Sequence, residues 1–212
     1  MEDRTTPAAF TYSGTDLTID LDNANESITL TAQGGGNYVF TSNNNFTGAD
    51  KAGLTGNGTK LTITNTLSLT NVLINDSATG TSVVFGTSTG SYVDNFTIQL
   101  DNSAGNITFN DSTAFDDASN NNLVAKTTGV TGAVTQTAGT LVVAGSSTFQ
   151  AATTITLTQG GNDFTGAVSL SNSGANAVAV TDSNAIDIGT SSVGTSTLTI
   201  NAVGITQSGA IT

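Results

Sequence analysis

Residues 17–30 read LTIDLDNANESITL and residues 96–109 read FTIQLDNSAGNITF, with seven of fourteen positions identical. Each copy holds two short runs in which apolar and polar residues alternate, joined by small and polar residues. Successive side chains of a strand point to opposite faces. Leu17, Ile19 and Leu21 therefore share one face, and Thr18 and Asp20 the other. The Asp and Asn residues between the runs favour a turn. A whole strand–turn–strand unit is thus written twice.

The same alternation returns at Leu61–Thr64, Phe96–Leu100, Ile155–Thr158 and Leu198–Ile200, while a helical period is missing. A smaller word also recurs, Asn45-Phe46-Thr47-Gly48-Ala49 as Asp163-Phe164-Thr165-Gly166-Ala167. An apolar residue followed by polar turn residues closes a strand at Phe40, Ile63, Phe85, Phe109, Val134, Leu157, Val180 and Ile205. Their separations are 23, 22, 24, 25, 23, 23 and 25 residues. A steady recurrence of that size marks a parallel β-solenoid, in which one coil cannot bury its apolar face but a stack can.

The expected fold is all-β: a parallel β-helix of about nine rungs, each roughly 23 residues, spanning 1–212 as one domain. Residues 1–8 read as a segment before the repeats. The single proline, Pro7, falls there, where it deletes no ladder bond. The alternative fold is an antiparallel β-sandwich, which predicts hairpins of variable spacing.

Composition narrows the function. Cys, His and Trp are absent, which removes disulfides, thiol chemistry and nucleophilic triads that need Cys or His, and most zinc sites. Four basic residues face sixteen acidic ones, a net charge of −12 that repels nucleic acid and anionic membrane surfaces. Apolar runs such as Leu141–Ala144 are too short to span a bilayer, so no membrane insertion is expected. The chain opens Met1-Glu2-Asp3-Arg4 without an apolar leader.

The segment from Asn162 to Thr212 resembles repeats of filamentous-haemagglutinin-like and other giant bacterial β-strand-repeat exoproteins. The words that carry the likeness are Asn162-Asp163-Phe164-Thr165-Gly166-Ala167-Val168, Val180-Thr181-Asp182-Ser183-Asn184-Ala185 and Ile205-Thr206-Gln207-Ser208-Gly209. The resemblance implies a right-handed parallel β-helix on the bacterial outside, secreted or at the cell surface, acting as stalk or adhesin. Glu2-Asp3-Arg4-Thr5-Thr6-Pro7-Ala8 is similar to the junction that follows the leader in some very large exoproteins.

Catalysis is not expected. Gly34-Gly35-Gly36 lacks the lysine of a phosphate loop, and Lys51, Lys60 and Lys126 share no column that could serve a lyase. A glycosidase needs two carboxylates facing across a cleft, whereas adjacent Asp116 and Asp117 point apart on a strand. Calcium is the better-motivated ligand, because Asp, Asn and turn carbonyls supply hard oxygens. Its candidate ligands are Asp16, Asp20 and Asp22, with Glu26 beside them, and Asp101, Asp111, Asp116 and Asp117. The same residues also suit a solvated acidic face. Thr154, Thr156 and Thr158, with Thr197 and Thr199, read as ordinary outward strand residues, as do Tyr12, Tyr38 and Tyr92 within strands. The function expected is a structural or adhesive surface module. Its partners are neighbouring repeats or other copies end to end, or a host or surface polysaccharide.

Overall fold

A computed structural model describes residues 8–102, 104–116 and 121–212, and these are all-β without a helix. Pro7, the rest of residues 1–7, and Asp117 lie outside the described residues.

The chain begins with antiparallel strands. β1 (Ala8–Ser13) turns at Gly14, φ 65°, into β2 (Asp16–Leu21), which pairs back on it. A corner then leads to β3 (Ser27–Ala32). Gly34, Gly35 and Gly36 all hold positive φ, a conformation open to glycine because it has no Cβ. They reverse the chain into β4 (Tyr38–Ser42), antiparallel to β3, with Leu30 opposite Phe40. β5 (Phe46–Thr47) lies on β1, and the hairpin of β6 (Leu54–Asn57) and β7 (Lys60–Ile63) pairs antiparallel with β4.

The solenoid takes over at β8 (Asn71–Asp76), which lies parallel on β2, and β9 (Ser82–Phe85), which lies parallel on β3. Three coils follow with a strand on each of three walls. They are β10 (Asn95–Leu100), β11 (Asn106–Phe109) and β12 (Thr113–Phe115); β13 (Leu123–Thr127), β14 (Val134–Gln136) and β15 (Leu141–Val143); and β16 (Ser147–Ala151), β17 (Ile155–Leu157) and β18 (Asp163–Phe164). Two-walled coils complete the stack: β19 (Val168–Asn172) with β20 (Val178–Thr181), β21 (Ala185–Ile188) with β22 (Leu198–Asn201), and then β23 (Gly204–Gln207). The first wall runs β2, β8, β10, β13, β16, β19, β21, β23 in parallel register, and the winding is right-handed, as parallel crossovers are.

Five coils, those led by β8, β10, β13, β16 and β19, have parallel neighbours above and below on both main walls. The expectation of nine rungs is therefore too high. Residues 33–70 explain most of the excess: Phe40 and Ile63 sit in antiparallel β4 and β7, where the glycine turn has sent the chain backwards. The period is also uneven. Along the first wall, partners lie 27 residues apart from Phe96 to Leu123, 24 to Ser147, 21 to Val168, and 19 from Ala185 to Gly204. Coils shorten as the third wall disappears. Phe85 does pair with Phe109, but the longer next coil places Val134 against Ile107, and Ile205 belongs to the first wall, opposite Ile186.

Inward residues of every coil fuse into one core. Its thickest part is aromatic: Phe85 stacks on Phe109 at 4.8 Å, and Tyr92 on Phe115 at 5.0 Å. Tyr38 stacks on Tyr92 at 5.5 Å and so ties the antiparallel segment into the coils. Such ring pairs add about 0.5–1.5 kcal/mol each beyond burial of their area.

Candidate functional site

The repeated unit builds the same corner twice. Asn25, φ 60°, and Ala104, φ 69°, hold equivalent places in the two copies, and Gly80, φ 74°, holds that place in the coil between them. Strand direction thus changes from first wall to second through one left-handed residue. This fixes where the flanking Asp and Asn side chains go.

Those side chains pair along the stack. Asn71 Nδ2 donates to Asp16 Oδ1 at 2.8 Å, and Asn95 Nδ2 donates to Asn71 Oδ1 at 3.2 Å. The Asn122 backbone N–H donates to Asn95 Oδ1 at 3.0 Å, and Ser146 donates through both backbone and hydroxyl to Asn122 Oδ1 at 2.8 Å. The result is a ladder of side-chain amides up the edge of the first wall. The rungs at Asn122 and Ser146 also satisfy backbone N–H groups that the strand ends leave open.

The calcium candidates do not converge. Asp16 heads the ladder, Asp20 accepts from Asn75 at 3.4 Å, and Asp22 accepts from Asn23 at 2.9 Å. Asp101 accepts from Gln99 at 2.6 Å and, by a very short bond, from the Thr128 hydroxyl. Asp111 accepts from the Thr87 hydroxyl and the Ser112 backbone N–H, both at 2.7 Å, and these bonds hold its carboxyl below the usual range. Asp116 is exposed, and Asp117 lies outside the described residues. Among the described residues, no three His, Cys, Asp or Glu come together to hold a metal ion.

Glu26 corrects the picture of an outward acidic face. It is fully buried, with Oε1 accepting from the Ser42 hydroxyl at 3.1 Å and Oε2 from the Asn23 N–H at 3.4 Å. Burial raises its pKa, opposed by those hydrogen bonds. The reason for its position is the antiparallel β4, which brings Ser42 over the corner. Tyr38 is likewise buried, donating to Asp94 at 2.7 Å and accepting from the Val93 N–H at 2.8 Å. Tyr92 reaches the core outside any strand, whereas Tyr12 carries the Lys51 ammonium 3.8 Å above its ring.

Thr156 belongs to a column the 23-residue spacing conceals. Thr108, Thr135 and Thr156 are successive register partners on the outer face of the second wall, bounded by Val84 and Ala179.

The corner between the first two walls holds a groove of about 540 Å³. It crosses four coils and is lined by hydroxyl, amide and small side chains. Sequence reasoning missed it, because depth there depends on unequal corner lengths that become visible only once strand ends are known. It also missed the ladder asparagines, whose signal was present: Asn71, Asn95 and Asn122 each stand at or just before the first strand of a coil.

No curated protein and no solved structure matches the chain. A family model does match, over residues 97–171 and 175–212, which is just over half of the sequence and covers the solenoid from β10 onward. By that match the chain belongs to the family described as repeats of unknown function (DUF5649).

Proposed function

We propose that this chain is a stiff spacer segment of a bacterial cell-surface protein of the filamentous-haemagglutinin-like kind. The observation that carries the reading is the parallel stacking on both main walls from β2 and β3 to β21 and β22, which narrows to the single pair Val168–Ile188 between β19 and β21. Bending such a stack must part backbone hydrogen bonds on one wall and compress the core on the other. With coils about 4.8 Å apart, the eight first-wall strands form a rod on the order of 35–40 Å. Repeats of this kind contact only their neighbours, so length is added without changing the fold. The resemblance words support the surface assignment. They fall at β18 into β19, at β20 into β21, and along β23, where coils join.

An end-to-end fibre of identical copies has less support. It needs an open strand edge at each end. At the first coil, β1 covers one wall and β4 the other, both antiparallel.

The test is antibody labelling of the cells that encode the chain. Labelling of intact cells, abolished by brief external protease, is the expected result. Labelling that requires permeabilisation would remove the surface role.

A further inference from the structure

The corners joining the first and second walls differ in length. Six residues, 128–133, join β13 to β14, three residues, 152–154, join β16 to β17, and five, 173–177, join β19 to β20. The short middle corner leaves a dent between two longer ones, and this is the origin of the groove. Ala151 and Ala152 line its middle, Thr128 and Val130 one side, Ser171 and Ser173 the other.

We propose that this groove binds a neutral polysaccharide laid along the solenoid axis. Its lining comes from four successive coils, so it is elongated along the stack rather than across it. Coils recur about every 4.8 Å, comparable to the length of one sugar ring, so similar donors meet successive sugars. The chemistry suits hydroxyl-rich ligands. Among the described residues the Gln150 amide makes no hydrogen bond within the chain, and it offers both donor and acceptor beside the Ser171 hydroxyl. Val130, 76% exposed, gives an apolar surface for the carbon–hydrogen face of a sugar.

Charge selects a neutral chain. The one ionised side chain in the lining is Asp101, and its oxygens already accept from Gln99 and Thr128. Lys126 is the register partner of Gln150 but does not line the groove. A chain of net charge −12 with no cation in the groove repels uronates and phosphates.

Affinity electrophoresis of the full chain tests this. The gels contain dextran, galactomannan or, as the anionic counterpart, polygalacturonate. The expected result is slowed migration in at least one neutral gel and none in polygalacturonate, with loss of the retardation in both Gln150→Ala and Ala152→Phe. Gln150 is an outward residue of β16, so its truncation leaves the core untouched even if Ala152→Phe disturbs the corner. Unchanged mobility in both neutral gels, equal retardation in polygalacturonate, or retardation that survives Gln150→Ala would overturn the proposal. None of these outcomes bears on whether the chain is a spacer.

Discussion

Gln136 and Asn162 exchange amide hydrogen bonds inside the protein. Gln136 Nε2 donates to Asn162 Oδ1 at 2.7 Å, and Asn162 Nδ2 donates to Gln136 Oε1 at 2.8 Å. Asn162 Oδ1 also accepts from the Leu141 N–H at 2.8 Å, so one side chain stitches two coils at the corner before the third wall. Both residues are buried, at 6% and 0% exposure.

Removing one partner weakens the other's bonding. Asn162→Ala leaves the Gln136 amide only its longer bonds, to the Gly139 carbonyl at 3.2 Å and from the Gln159 N–H at 3.5 Å, and takes the acceptor from the buried Leu141 N–H, a cost of about 1–3 kcal/mol. The double variant Gln136→Leu with Asn162→Leu costs less than the sum of the singles, because neither side-chain amide is then left facing a missing partner, while the Leu141 N–H is equally affected in the Asn162 single and in the double. Urea unfolding of the four proteins measures this coupling, and strict additivity would show that the pair is not a unit.

Alternation alone made much of this fold legible. It assigns the inward residues of β2, β7, β10 and β17 correctly, and the 17–30 and 96–109 copies do share one corner. Alternation does not encode strand direction. β7 carries the same pattern as a coil strand, β4 departs from it only in burying Val39 between Tyr38 and Phe40, and the three positive-φ glycines before β4 mark the reversal. Nor does it encode register, so a 27-residue coil moved Val134 from Phe109 to Ile107. The acidic residues were visible by type. Their scatter was not, because it depends on which coil edge each one reaches. The burial of Glu26 depends on Ser42, which the misread strand supplies.

Gly90 and Gly34 hold the antiparallel segment against the coils. A Cβ on Gly90 would lie 2.2 Å from Gly34 Cα and 2.3 Å from its nitrogen, both backbone atoms that cannot swing aside. Gly90→Ala must push the β3–β4 turn outward, at about 1–3 kcal/mol. The expected signature is a lower melting temperature with faster proteolysis inside residues 43–60. Gly160→Ala is the control, since nothing lies within 4 Å of its added carbon. Equal behaviour of the two variants would refute the contact.

Phe115 sits where three rings converge, with centroids 5.0 Å from Tyr92, 5.6 Å from Phe96 and 5.7 Å from Phe85. It joins the first three-walled coil to the one below through the Tyr92–Phe115 bridge. Phe115→Ala is expected to cost about 3–5 kcal/mol, through lost transfer energy and the cavity left behind. Phe115→Leu keeps most of the volume and costs less. Chemical denaturation that ranks the two alike would mean that the ring cluster contributes shape rather than packing.

Glu26 gives the chain a pH dependence of definite sign. Its folded pKa is raised above the ordinary 4.5 because burial disfavours the carboxylate. The native state therefore holds a proton that the unfolded state releases between those two values. Stability from this site is full below about pH 4.5 and falls as pH rises through the folded pKa. Glu26→Gln removes that dependence: it is expected to match the wild type near pH 4 and to exceed it at neutral pH, with the gap opening between. Asp111 works in the opposite sense, its lowered pKa favouring the fold above its own range, but it is common to both proteins, so it cancels in the comparison. Thermal melts from pH 3.5 to 7.5 decide the matter. A variant weaker than wild type at neutral pH would mean that the hydrogen bonds from Ser42 and Asn23 to the carboxylate outweigh the cost of burying it.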